Sequence, residues 1–204
     1  MDGLVHVVDD DEAVRDSLRY MLEQEGFAVR MYEDARALLA AELPPSGCVV
    51  TDLRMPGIDG LDLQARLAGQ GVRLPVIVMS AHGEVPAAVR ALKAGAVDFL
   101  EKPFADGQLV GAIRQALDAN RRALTSEAAA AGAAHRIGLL TPREHDVLEL
   151  LVAGKSTKEI GRALGTSPRT IDVHRARVFQ KLQAETLPDL VHLVLTARGA
   201  EPAR

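Results

Sequence analysis

Four short stretches hold the residues of this chain whose types could do chemistry. LVHVVDDDEAV sets three consecutive carboxylates, Asp9, Asp10 and Asp11, directly after an apolar run. VVTDLRMPG sets Asp52 after a second such run, VIVMSAHG sets Ser80 after a third, and DFLEKPF sets Lys102 after a fourth. Neighbouring like charges repel, and gathered carboxylates are costly unless a cation neutralises them. Oxygen ligands of this kind suit Mg²⁺, which takes few carboxylates and keeps waters and phosphate oxygens around it. A metal, an acceptor carboxylate, a lysine and a hydroxyl are together the parts of a phosphoryl-transfer site. Each also has a bland reading: a solvated acidic loop, a turn serine, an exposed loop lysine before Pro103. Four of them at the ends of four apolar runs are not independent accidents.

These groups can meet only if the runs are strands of one parallel sheet. The runs at 4–8, 48–51, 75–79 and 96–100, with a weaker one at 27–31 after Gly26, alternate with helical patterns at 13–24, 35–42, 60–68, 86–94 and 107–117. In 13–24, Val14, Leu18, Met21 and Leu22 fall on one helical face. Such alternation predicts an α/β doubly wound, five-stranded parallel sheet covered on both faces. Its connections are right-handed, and ligands collect at the carboxyl ends of its strands.

VVDDDEAVRDSL, VVTDLRMPGIDGLDL, VIVMSAHG and ALKAGAVDFLEKPF resemble the receiver domain of bacterial response regulators, a flavodoxin-like fold, over roughly residues 1–120. The resemblance implies that Asp52 accepts a phosphoryl group from a sensor histidine kinase. It implies Mg²⁺ held by Asp10 directly, by Asp9 largely through water, by Asp52 and by the backbone carbonyl of Arg54. Ser80 and Lys102 would contact the phosphoryl group, Asp11 would be solvated, and the Lys102–Pro103 bond would be cis. Ser80 and Phe99 would be the switch pair, Phe99 standing where a tyrosine is common. Arg54 and His82 would flank the site and could shield or position the hydrolytic water. Phosphorylation would drive homodimerisation through the helix at 86–94 and the strand after it, with Val89 and Lys93 in the interface.

Residues 121–138 break the alternation with an Ala-rich stretch, expected to be a partly helical linker. From Leu139 on the strand signals vanish. Thr141-Pro142-Arg143-Glu144 reads as a capped helix start, followed by helices at 142–153, 157–164, 168–182 and 188–197, a small all-α four-helix domain over 139–204 with helix–turn–helix character. In 168–182, Ile171, Val178 and Leu182 share one side while Arg169, Asp172, Val173, Ala176, Arg177 and Gln180 face away, as a helix entering a major groove requires. Lys155 and Lys158 sit where cations and backbone N–H groups suit phosphate. The set expected to meet DNA is Lys155, Lys158, Arg169, Thr170, Asp172, Val173, Arg175, Ala176, Arg177 and Lys181. TPREHDVLELLVAGKSTKEIGRALGTSPRTIDVHRARVFQKL closely resembles LuxR-type DNA-binding domains, and with the EKPF ending the whole chain resembles the FixJ subgroup of response regulators. That implies a phosphorylation-activated transcription regulator acting on double-stranded promoter DNA and RNA polymerase.

The bulk properties leave room for this reading and close off others. The chain has 204 residues, 48% hydrophobic and only 3% aromatic, so its cores must be built from Val, Leu and Ala. One cysteine, Cys48, excludes an internal disulfide and is expected in the core; His6 and His192 are expected to be packing or surface residues. No apolar stretch approaches the roughly 20 residues that span a bilayer, and the start lacks a secretory signal pattern. A cytoplasmic protein with no membrane partner is expected. Residues 1–117 carry net −7 and residues 139–204 net +2, a mild basic bias that alone does not establish nucleic acid. A phosphatase working through an aspartyl-phosphate would need a second catalytic carboxylate two residues after Asp52, where Arg54 stands, so an enzyme is not expected. A receiver signalling through protein contacts alone is opposed only by residues 139–204.

Overall fold

The computed structural model describes residues 3–81 and 85–199, which form two compact units dividing between Leu124 and Thr125. His82, one of the residues expected beside the site, lies outside the described residues. In the first unit, strands β1 (Leu4–Val8), β2 (Ala28–Tyr32), β3 (Gly47–Asp52), β4 (Val76–Ser80) and β5 (Asp98–Glu101) pair in parallel in the order β2-β1-β3-β4-β5. Helices α1 (Glu12–Gln24), α2 (Ala35–Leu39), α3 (Gly60–Gly69), α4 (Val85–Lys93) and α5 (Asp106–Gly138) alternate with them.

A sheet covered on both faces buries every residue of its inner strands, which is why β3 and β4 read as unbroken apolar runs. Val5, Val7, Cys48, Val50, Ile77 and Met79 point to one face and pack with Leu18 and Leu22 of α1 and Leu109 and Ile113 of α5. Val8, Val49, Val76 and Val78 point to the other, against Leu38, Leu63, Leu67, Ala87 and Ala91. Cys48 is fully buried and its thiol is pushed up to about 12 by burial, so it is a small core residue and no thiolate. His6 is fully buried too; its Nδ1 lies 2.9 Å from the Tyr32 hydroxyl with the rings stacked. Burial first, and the Arg30 charge second, push its pKa down to about 4.

The helix expected at 107–117 does not stop there: α5 runs unbroken for 33 residues, through the stretch at 121–138 expected to be a partly helical linker. The reason is local. Asn120 is buried and its side chain accepts from Gly47 N at 3.1 Å and donates to the Pro45 carbonyl at 3.2 Å, holding the helix to the start of β3. Beyond it the alanines continue the helix by intrinsic preference until Ala133 and Ile137 reach the core of the second unit.

That second core gathers Val147, Leu148 and Leu151 of α6 (Pro142–Val152), Ile160 of α7 (Thr157–Ala163), Ile171, Val178 and Leu182 of α8 (Pro168–Leu182) and Leu190 and Val194 of α9 (Leu187–Gly199). Thr141 and Ser156 each cap their helix reciprocally with the glutamate three residues on. Gly165, at φ 65°, supplies the left-handed turn that ends α7.

One ion pair binds this unit together from inside. Glu144, 2% exposed, accepts from Lys181 Nζ at 2.7 Å and from Thr141 N at 2.9 Å, and Lys181 also donates to the Leu139 carbonyl. The Lys181 hydrogen bond first and the Thr141 N–H second hold the Glu144 carboxyl below its ordinary 4.5, at about 2. A folded-state pKa below the unfolded one gives stability that is whole above about pH 4.5 and lost as pH falls toward 2. Thermal unfolding of the second unit should therefore soften over that window. Glu144→Ala should cost it about 2 kcal/mol at pH 7, through the lost cap and the unpaired ammonium, and should flatten the acid dependence.

Candidate functional site: a carboxylate and lysine cluster at the strand ends

The strand registers decide which side chains meet. Val8 lies opposite Thr51, so Asp9 and Asp52 emerge side by side; Asp52 lies opposite Met79, and Ser80 opposite Glu101. Lys102 follows Glu101, and its backbone N–H donates to the Ser80 carbonyl at 2.7 Å. The cis Lys102–Pro103 bond follows directly.

Lys102 Nζ then sits between two buried carboxylates, 2.8 Å from Asp9 Oδ2 and 2.6 Å from Asp52 Oδ1. Burial works to lower the Lys102 pKa, but hydrogen bonds and charge from Asp52 and Asp9 outweigh it and the net shift is upward. The other Asp52 oxygen, Oδ2, accepts from Arg54 N at 2.7 Å, and Asp9 Oδ1 accepts from Asp11 N at 3.0 Å. Arg15 of α1 donates to the Asp9 carbonyl at 2.8 Å, a contact the strand-end pattern does not announce. Ser80 is 1% exposed at the end of β4, and Asp10 is exposed next to Asp9.

Asp11, expected to be solvated, is exposed and is also the N-cap of α1, accepting from Ala13 N and Val14 N. The signal is present in the sequence, an aspartate followed by helix-forming residues, but the clustering of three acids obscures it. The third acid thus has a structural part, as a helix cap.

Two carboxylates and one ammonium leave one negative charge, before the adjacent Asp10 is counted. Among the described residues no group of three or more acidic, histidine or cysteine side chains is gathered to cage a metal. Mg²⁺ needs no such cage, since one or two carboxylates, waters and phosphate oxygens satisfy it. The hard oxygens of Asp9, Asp10 and Asp52, with the Arg54 carbonyl, fit that ion by donor type.

Phe99 is half-buried and packs with the cluster beneath α2 to α4. On α4, Val89 is 44% exposed and Lys93 is exposed. Val85 and Leu92 are also exposed, at 71% and 50%, and their spacing puts them on the Val89 face. Sequence pattern alone misses them because an apolar helical stripe is normally the buried face, a role that here falls to Ala87 and Ala91.

In the second unit, Arg169, Thr170, Asp172, Val173, Arg175, Ala176 and Arg177 are exposed on α8, and Lys155 and Lys158 are exposed before and on α7. Arg175 lies over the Phe179 ring at 5.6 Å, and the Thr170 hydroxyl bonds Ser167 at the helix start. Lys181, expected among the DNA contacts, is half-buried, and its ammonium donates to Glu144 and the Leu139 carbonyl. A helical wheel shows the direction of a side chain but not its partner on a neighbouring helix. Arg162, absent from the expected set, is exposed beside Lys158 around the turn between α7 and α8.

Residues 5–114 match the response regulator receiver domain model and residues 138–194 match that of bacterial regulatory proteins of the luxR family. The transcriptional regulatory protein FixJ of Bradyrhizobium diazoefficiens is 49% identical over 96% of both chains. That of Rhizobium meliloti is 46% identical over 99% of both. Among solved structures, response regulator StyR superposes with TM-score 0.84 at 40% identity, covering 94% of this chain and 98% of its own. Full-length FixJ from B. japonicum does so with TM-score 0.59 at 46% identity, covering 97% and 98%.

Behind the site, Gly60 opens α3 so close to β3 that an added Cβ would lie 2.4 Å from the Asp52 carbonyl oxygen. Gly60→Ala should force the backbone under Asp52 to move. We expect it to cost the first unit about 1–3 kcal/mol in urea unfolding.

Proposed function

Since the chain belongs to the response regulators of the FixJ type, a receiver domain followed by a luxR-family DNA-binding domain, we propose that it is a transcription regulator switched by phosphorylation of Asp52. The observation that carries this reading is Lys102 Nζ set between Asp9 and Asp52 at the strand ends. One Asp52 oxygen rests on an ammonium and the other on a backbone N–H, so the carboxylate is held in a fixed orientation. An Asp52 oxygen forms the new P–O bond as the P–N bond of a phosphohistidine on a sensor histidine kinase breaks, and the electron pair leaves on the imidazole. Lys102 Nζ and the Ser80 hydroxyl take phosphoryl oxygens. Asp9, Asp10, Asp52 and the Arg54 carbonyl would hold Mg²⁺, whose charge would offset that of the carboxylates and the phosphoryl group.

The output follows by population shift. Ser80 moves toward the phosphoryl group, Phe99 turns into the space it leaves, and the face of Val85, Val89, Leu92 and Lys93 becomes the contact between two copies. Moving such an equilibrium from 1:99 to 99:1 takes about 5.5 kcal/mol of differential interaction. A single DNA-binding module covers on the order of 600–1,000 Å², and its net charge of +2 attracts phosphates weakly. Two copies on half-sites about one helical turn apart bind far better, because the second contact is intramolecular. Lys155 and Lys158 position the duplex and the exposed face of α8 reads it, in promoter DNA where RNA polymerase acts, in the cytoplasm. No helix among the described residues is long and apolar enough to cross a membrane.

Incubated with acetyl phosphate and Mg²⁺, the wild-type chain should gain one phosphoryl mass, and Asp52→Asn should gain none; labelling of Asp52→Asn at the wild-type level would refute the assignment. Val89→Glu should accept the phosphoryl group normally but sediment as a monomer, and lose roughly a hundredfold in operator affinity. A phosphorylated Val89→Glu protein that still sediments as a dimer would put the interface elsewhere.

A further inference from the structure

The reading face of α8 contains an acid that its electrostatic setting does not explain. Arg169, Asp172, Val173, Ala176 and Gln180 fall in one stripe at helical spacing, opposite the buried Ile171, Val178 and Leu182. Asp172 is exposed in that stripe, and among the described residues its side chain takes part in no hydrogen bond or ion pair. Arg169, three residues before it, forms no pair with it, and Arg175, three residues after it, is turned onto the Phe179 ring. The helix therefore presents an unneutralised carboxylate where a duplex presents phosphates.

A carboxylate can only accept hydrogen bonds, so in a major groove it must meet a donor. Guanine and thymine offer acceptors at their groove edges. Adenine offers its N6 amine, but with the N7 acceptor beside it, which repels a second lone pair. Cytosine offers the N4 amine. We propose that Asp172 is a specificity-determining residue that accepts a hydrogen bond from the N4 amine of a cytosine in each half-site. The proposal rests on the DNA-binding reading above and adds to it the identity of one base. Val173 and Ala176 beside it present only apolar surface to the same groove, which suits thymine methyl groups and offers cytosine no competing polar contact. The carboxylate also repels every non-cognate sequence, so it raises selectivity at the expense of general affinity.

The test uses the full chain, phosphorylated with acetyl phosphate and Mg²⁺, in selection from a random double-stranded DNA library. The wild type should enrich a motif with a cytosine at one fixed place in each half-site. Asp172→Ala should lose the preference at that place alone, by roughly tenfold, and should bind unselected DNA more tightly. Asp172→Asn, which can pair with adenine N6 and N7, should move the preference there from cytosine to adenine. An unchanged motif for Asp172→Ala overturns the proposal while leaving DNA binding standing. A wild type that enriches no sequence overturns the DNA-binding reading and this one with it.

Discussion

The ammonium of Lys102 between Asp9 and Asp52 is the contact on which the first unit's arrangement turns. Three chain segments far apart in sequence end at one place, and each delivers a charge. Without the lysine two buried carboxylates would face one another in a poorly solvated corner, where burial and like charge both disfavour ionisation. With it, one negative charge remains, and a positive ion or an incoming group can alter the balance. A site poised this way is stable enough to fold and still responsive to a change in charge.

The second unit solves a similar problem in the opposite sense. Glu144 is also a buried carboxylate on a lysine, but the oxygen that takes Lys181 also accepts from Thr141 N, and Lys181 donates further to the Leu139 carbonyl. The pair fixes α6 against α8 and thereby fixes which face of α8 is turned outward. Buried ion pairs are poor sources of net stability compared with apolar packing, and their use in setting a unique arrangement is better supported.

Much of this layout is legible in the amino-acid sequence, because its signals are redundant. Strand–helix alternation, apolar runs ending in acids and capped helix starts each point to the same arrangement, and the parallel register does the rest for Asp9, Asp52, Ser80 and Lys102. Sequence pattern fails where a residue's role depends on a partner distant in the chain. The pairing of Lys181 with Glu144 is hidden because the two lie 37 residues apart. Arg15 gives no sign that it holds the Asp9 carbonyl, and Val85 and Leu92 look like core. The extent of α5 escapes for another reason: Asn120 is a polar residue in an Ala-rich stretch, and its two bonds to the β3 approach cannot be inferred from its neighbours.

The middle of α5 carries a cost of its own. From residue 121 to 129 nearly every side chain is exposed, and only at Ala130 and Ala133 does burial resume. Over that span almost no packing reinforces the helix, which leans on its own backbone hydrogen bonds, on local side-chain contacts such as Arg121 with Asp118, and on alanine's preference. Opening two or three turns there would release little buried surface. Its amide hydrogens should exchange with solvent well ahead of those in the anchored portions around Ile113 and Ala133. A protease given the intact chain should find its first cut in the same few residues, leaving two fragments that each keep their own core.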